Sequence, residues 1–524
     1  MMGASRTFSV STVSTYDGMH PRHFSLLRHG GLAAVAVLLQ CIEALGAWPR
    51  QVAMVMTVLL PKPKGGWRGI GLFPGLHRLY TRVRQPYFQL WEARNWRPYF
   101  AAAAGRGPEQ VVWRQAMVAE AASTTGTSCT ASVLWDLRKF FEHLDLSLLE
   151  GRGLRAGFDA VVLRAVISAY RFARVISGRA GMTVPAWARS GVTPGCGAAA
   201  VMIKVYCMEP FDQLVARLSA LSLKVTLDVY FDDLHLSVQG DDQASATKVL
   251  TKAAVELSVT VRQDLRCTVA PDKGGIVASC SKLLARVAKA MAKLPGSAMK
   301  TCANLGVDFT AGRCHRAAPA HTMQSRLSTY VKRSRKISVL QRASAGRLAH
   351  KISLCGGRPS LQYGASCYGL SGGQLRDRRR ALAQTLRPTA KGRSLDAVCL
   401  LHGDPMAAGA VAPASAWCAE VWNSLCTGHW PGTAAIPMPE LRQAWETCAG
   451  GSIKSWRWAR GPISATVMTL RRLGWSFTGP FDWIDHDGVP LQLTRLAPAM
   501  MLSKWRWHTR GSWSYRRLPR SVQA

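Results

Sequence analysis

VTLDVYFDDLHLSV, residues 225–238, sets apolar residues at alternate positions on either side of two adjacent aspartates, Asp232 and Asp233. Period-two alternation marks half-buried strands, so the stretch predicts a β-hairpin with the aspartates at its turn. Two neighbouring carboxylates repel each other. Aspartate suits tight turns between strands, which explains the pair without any ligand. A hard divalent cation held at the hairpin tip explains it as well. The surrounding sequence has to separate these readings.

Charge is the first discriminator. The 524 residues contain 67 Lys and Arg against 30 Asp and Glu, a formal net charge of +37. Such an excess calls for a polyanion, and nucleic acid is the natural one, because Lys and Arg neutralise its phosphates. An acidic membrane surface is the lesser alternative. A hydrophobic content of 48% excludes wholesale disorder. The 14 cysteines are scattered without a C-x-x-C pair, which indicates neither a disulfide framework nor a zinc module. GLAAVAVLLQCIEALG (31–46) is too short to span a bilayer and is expected as a buried helix.

Organisation follows from periodicity and breakers. TVLLPKPKGGWRGIGLF (57–73) is a strand, a basic Gly/Pro loop and a second strand, and helices are expected over 108–126, 159–170, 196–220 and 241–256. SKLLARVAKAMAKL (281–294) is an amphipathic helix. Residues 309–376 carry 12 Lys or Arg and no Asp or Glu, which suits a phosphate-tracking surface. Basic and aromatic residues interleave again in KWRWHTRGSWSYRRLPR (504–520), a pattern fit for phosphate contact and base stacking. Asp482, Asp485 and Asp487 cluster in FDWIDHDGVP, where the Asp-Gly context favours a hairpin turn.

A third carboxylate matters more. The apolar run ASVLW (131–135) ends in Asp136 ahead of a predicted helix, so a second strand terminus can face the hairpin. Metal-dependent nucleotidyl transfer uses two divalent ions roughly 4 Å apart, held by rigidly placed carboxylates. Asp136, Asp232 and Asp233 are the candidate ligands.

With these residues in place, the chain resembles the reverse transcriptase domain of non-LTR retrotransposons, especially the divergent retrotransposon-derived reading frames of dinoflagellate type. YFDD (230–233) resembles the Tyr-x-Asp-Asp box, and WDLRKFFEHLD (135–145) the first palm box. SGVTPGCGAAA (190–200) is similar to the Gly-rich box, and LLPKPKGGWRGIGL (59–72) to the fingers box. APDKGG (270–275) corresponds to the lysine box and NLGVDF (304–309) to the Leu-Gly box. Six boxes in one order are specific, although YxDD or LG alone is not.

The resemblance implies an α+β right-hand polymerase with fingers, palm and a helical thumb, plus an additional C-terminal region. It implies a loose leader over 1–22, fingers with N-terminal helices over 23–127, a palm with a fingers insertion over 128–308, and a basic thumb over 309–384. Residues 385–524 are expected as a fragmentary C-terminal region with a basic aromatic tail. Asp136, Asp232 and Asp233 would bind two Mg²⁺ ions, with Mn²⁺ the alternative. Lys62, Lys64 and Arg68 would lie over the incoming triphosphate. Phe141 would sit under the sugar and exclude a 2′-hydroxyl, or serve only as the first apolar contact of its helix. Tyr230 would contact the primer end or pack in the hairpin. Gly191 and Gly195 would let backbone approach template or nucleotide, or act as loop hinges. Lys273 is either a proton donor to pyrophosphate or a solvent-facing lysine.

The implied activity is RNA-directed DNA synthesis from dNTPs on an RNA template with a DNA primer or target, without membrane involvement. Nuclear residence is the implied location, with the cytoplasm the alternative. Two boxes depart from the pattern: Gly69 stands where the fingers box commonly has Pro, and Pro194 replaces a polar residue, often Gln. Template handling is therefore expected to be altered. A catalytically decayed or domesticated nucleic-acid-binding protein is the competing reading. Neither an endonuclease module, a ribonuclease H carboxylate set nor a CCHC knuckle is recognisable.

Overall fold

The computed structural model describes residues 1–501 except 63–64, 104–105, 127, 179–180, 223, 315–319, 344–345, 387–393, 428–434 and 451–452. Along the chain the strands are β1 (Met54–Pro61), β2 (Trp67–Leu72), β3 (Cys129–Asp136), β4 (Ala173–Gly178), β5 (Gly181–Met182), β6 (Ala186–Trp187), β7 (Val225–Tyr230), β8 (Asp233–Gly240), β9 (Gly275–Ala278), β10 (Ser297–Ala298), β11 (Cys302–Asn304) and β12 (Val307–Phe309). Three short strands follow: β13 (Ser476–Phe477), β14 (Asp482–Ile484) and β15 (Pro490–Gln492). The chain is a mixed helix-and-sheet protein. Among the described residues, no helix is long and apolar enough to cross a membrane.

The sheet that carries the aspartates has the order β10-β9-β3-β8-β7. β3 lies at its centre and is buried on both faces. Ala131, Val133 and Trp135 pack into a core shared with the helices Ala199–Leu221, Gln243–Val259 and Ser281–Ala290. Leu134 points the other way, into a second core with Val112, Trp113 and Ala116 of the helix Pro108–Thr124. β8 shows the expected alternation, with Leu234, Leu236 and Val238 at 2% exposure or less on one face. A separate sheet orders β2-β1-β4-β5, with β6 also pairing with β4, and β1 runs antiparallel to β2 but parallel to β4.

Several expectations need correction. The leader is not loose: Ser5 Oγ donates to the Pro21 carbonyl at 2.6 Å, and Asp17 accepts the Gly75 N–H at 2.7 Å. Asp17 thereby satisfies a donor at the N-terminus of the helix Gly75–Val83, where a carboxylate also complements the helix dipole. The helix His29–Leu45 is not buried. Only Leu39 and Ile42 are covered, whereas Val37 and Leu45 are 57% and 77% exposed. Its apolar composition extends round the helix, but only one face meets the core.

The described part of the C-terminal region is packed against the rest of the chain. The helices Ala407–Thr427, Met438–Ala449 and Pro462–Leu473, with β13–β15, share the core of Pro108–Thr124. Trp113, Trp417, Trp445 and Trp483 are each at most 2% exposed there. The buried Glu120 carboxylate accepts the Ile463 and Ser464 N–H groups at 2.8 and 2.9 Å, capping Pro462–Leu473. Asp482, Asp485 and Asp487 do belong to a hairpin, with the β14–β15 turn closed by Asp485 N–H to Val489 O at 3.0 Å. The aromatic basic tail, 504–520, lies outside the described residues.

Within the basic stretch, the helix His321–Ala343 buries Met323, Leu327, Tyr330 and Ile337 and exposes Lys332, Arg333, Arg335 and Lys336. Asp308 caps its start, accepting the Thr322 and Met323 N–H groups at 2.8 and 3.1 Å.

Candidate active site

The hairpin turn has two residues, Phe231 and Asp232, between the paired Tyr230 and Asp233. Two-residue hairpin turns need a positive φ, usually supplied by glycine. Here Phe231 takes it, at φ 56°. A bulky residue in the left-handed region costs about 1–2 kcal/mol and is characteristic of functional sites. The β3–β8 register then sets Asp136 directly opposite Asp233. The Leu137 N–H donates to the Asp232 carbonyl at 2.9 Å, and Ala270 N–H to the Asp136 carbonyl at 2.8 Å. Backbone on both sides thus fixes the three aspartates.

Their electrostatics follow. The Asp233 carboxyl is pushed up to about 7, first by burial and then by the charges of Asp232 and Asp136. Asp232 is also raised, by burial and by Asp136, against the lowering influence of Lys273 and Arg68. The Lys273 ammonium donates to both Asp136 oxygens, at 2.9 and 2.7 Å. The set is short of positive charge and composed of hard oxygen donors, so it fits a divalent ion such as Mg²⁺. The three carboxylates are nevertheless not all within 4.8 Å of one another; among the described residues the triple that meets this distance is Asp485, His486 and Asp487.

The Gly-rich segment links this site to β2. Gly191, at φ 93°, donates its N–H to Leu144 O at 2.8 Å, and an added Cβ would stand 2.8 Å from the carbonyl oxygens of Phe141 and Glu142. Gly195, at φ 106°, presses on Gly71 so closely that a Cβ would collide with its carbonyl oxygen. Gly71 N–H in turn donates to Pro194 O at 2.9 Å. In this structure the close approach at both glycines is to the protein's own backbone. Pro194 lacks an amide side chain, but its carbonyl takes part in this link.

Arg68 is exposed on β2, opposite Leu60, and its charge reaches Asp232. Lys62 is exposed at the hairpin bend, which is closed by Lys62 N–H to Gly66 O at 3.0 Å. Lys64 lies outside the described residues. The half-buried Phe141 ring lies 6.4 Å from Phe231, which lies 5.3 Å from Tyr230, so three rings border the turn. The Tyr230 hydroxyl is raised by burial and by Asp233.

Sequence reasoning missed a polar chain behind the hairpin. Asn304 Nδ2 donates to Gln115 Oε1 at 2.6 Å, and Gln115 Nε2 to Asp228 Oδ2 at 2.7 Å. The same Asp228 oxygen lies 3.2 Å from His235 Nδ1, and Asp228 and His235 are register partners. The chain ties the Leu-Gly turn to the strands that carry the aspartates. That turn is braced further by Tyr363, whose hydroxyl donates to Leu305 O at 2.8 Å, and by Arg326, which donates to Gly306 O at 2.5 Å. The available sequence signal was a carboxylate and an imidazole, Asp228 and His235, within the two predicted strands.

No family model matches the chain, and no curated protein matches it. Among solved structures it is similar to apo telomerase from Candida tropicalis truncated from its C-terminal domain, at 11% identity and a TM-score of 0.33, over 44% of this chain and 50% of that one. It is also similar to Candida tropicalis telomerase in complex with a TWJ fragment of telomeric RNA, at 11% identity and a TM-score of 0.36, over 54% of this chain and 48% of that one. The chain spans about half the length of these structures.

Proposed function

We propose that this chain is an RNA-directed DNA polymerase of the right-hand type, in which the β10-β9-β3-β8-β7 sheet is the palm. The observation that carries this reading is Asp136 set across the ladder from Asp233, with Asp232 beside it in the hairpin turn and both hairpin carboxyls raised by burial and then by neighbouring carboxylates. Asp136 and Asp232 would hold two Mg²⁺ or Mn²⁺ ions, with Asp233 a further ligand or a neighbour that sets the charge. When bound, the ions supply Lewis-acid activation of a primer 3′-hydroxyl and stabilise charge on the transferred phosphate.

The residues of the chain do the rest. Arg68 and Lys62 orient the triphosphate, Arg68 through a guanidinium able to grip two oxygens. Phe141 excludes a ribose 2′-hydroxyl by bulk. Lys273, once released from Asp136, would be placed to protonate pyrophosphate. The helix His321–Ala343 forms the basic thumb. The resemblance to the retrotransposon enzymes supports RNA as template and the nucleus as location.

The test is extension of a DNA primer on an RNA template with Mg²⁺ and either dNTPs or rNTPs. Metal-dependent incorporation of dNTPs over rNTPs is expected. Absence of extension, beside an active related polymerase, refutes the assignment. A second reading, a nucleic-acid-binding protein that has lost catalysis, is favoured by the Lys273 ammonium on Asp136 and by Pro194. In that case Asp136→Asn leaves nucleic-acid binding unchanged and there is no extension to lose.

A further inference from the structure

Away from the aspartates, the helices Gln243–Val259 and Ser281–Ala290 enclose an open groove of about 370 Å³. The first of these helices follows β8, which ends at Gly240. That is seven residues along the strand from Asp233, or about 24 Å at strand rise. Lys248 and Lys252 line one wall and Arg286 the other, all exposed and, among the described residues, none in an ion pair. Exposed Lys282 and Lys289 on the second helix, and Lys293 just beyond its end, extend the positive field.

The acids nearby are already engaged. Asp241 pairs with Lys224 at 2.5 Å, Glu256 with Arg217 at 2.8 Å, and Asp242 caps its helix through the Ala244 and Ser245 N–H groups. The groove therefore keeps three uncompensated cations. Its lining holds no aromatic ring to stack a base and no apolar side chain larger than alanine to enter a membrane. The hydroxyls of Thr247 and Thr251 spend their hydrogens on the Gln243 and Thr247 carbonyls, at 2.6 and 2.8 Å. What remains on each threonine oxygen is acceptor capacity, which a ribose 2′-hydroxyl can use and deoxyribose cannot.

We infer that this groove is a second RNA-binding surface, which grips the sugar–phosphate backbone of base-paired RNA outside the polymerising site. It depends on the polymerase reading only in taking that RNA to be part of the template. Recognition is by shape and charge, without readout of bases.

The test uses the full chain and a labelled RNA hairpin, with binding followed by fluorescence anisotropy across a salt series without metal or nucleotide. Combined Lys248→Glu, Lys252→Glu and Arg286→Glu should weaken binding about 10-fold or more at 0.15 M salt and lower the salt slope by about 2 to 3. Lys248→Gln with Lys252→Gln, a milder pair, should give a smaller loss in the same direction if the reversal variant does not fold. A DNA hairpin of matched sequence should be affected less, and extension of a short primer–template should be unchanged. Unaltered RNA affinity and slope overturn the inference. Equal losses for RNA and DNA overturn the choice of RNA, and loss confined to anionic vesicles assigns the groove to a membrane instead. Because binding is read without catalysis, an inactive polymerase leaves this result interpretable.

Discussion

Replacing Asp233 by Asn should stabilise the metal-free protein at alkaline pH. The folded Asp233 carboxyl titrates at about 7, whereas its ordinary value is 3.8. The folded state therefore binds more protons than the unfolded state between those values. Stability from this group is fully present below pH 3.8 and is lost as pH rises through 7. At ~1.4 kcal/mol per pH unit the full difference is about 4 kcal/mol, and partial exposure to solvent reduces it to about 2–4 kcal/mol. Asn keeps the shape of the side chain and removes the charge, so the variant should gain about that much at pH 8 and almost nothing at pH 4. Urea unfolding of wild type and Asp233→Asn in EDTA at both pH values measures it. Adding Mg²⁺ at pH 8 should stabilise the wild type and narrow the gap. Equal metal-free stabilities at pH 8 would refute the picture of buried, crowded carboxylates.

Other consequences are as direct. Lys273→Met removes the ammonium that competes for Asp136 and should raise divalent-ion affinity several-fold, about 1 kcal/mol, by titration calorimetry. Gly195→Ala forces a Cβ against the Gly71 carbonyl at a positive φ and should cost about 2–4 kcal/mol with a matching loss of extension activity. His77 is fully buried against Phe73 and Trp48 and its imidazole is pushed down to about 3 by burial. Its neutral form stabilises the fold above the ordinary 6.5, and that contribution is lost as pH falls toward 3. His77→Phe should flatten the acid limb of the stability profile by up to ~1.4 kcal/mol per pH unit, measured by urea unfolding from pH 7 to pH 4.

The hairpin and its partner strand were readable because their information is local. Alternation in 225–238 predicts strands, and an apolar run ending in Asp136 predicts a strand terminus. What escaped depends on contacts between distant residues. The Lys273–Asp136 pair spans 137 residues and the Asn304–Gln115 bond 189. Neither has a periodic signature. The helix His29–Leu45 shows the converse problem: apolar composition reports what a helix could bury, not whether a neighbour exists to cover it. The packing of the C-terminal tryptophans has no local signature because their partner is the helix Pro108–Thr124, far away in the chain. Phe231 at a positive φ was hidden for another reason, since residue preference argues against that conformation.

The most direct measurement is the position of Mn²⁺ in crystals of the protein, located by anomalous scattering. Two ions about 4 Å apart, held by Asp136, Asp232 and Asp233 with Lys273 displaced, are expected. Mn²⁺ found only at the Asp485–Asp487 turn, with Lys273 still on Asp136, would contradict the assignment of the hairpin as a catalytic metal centre.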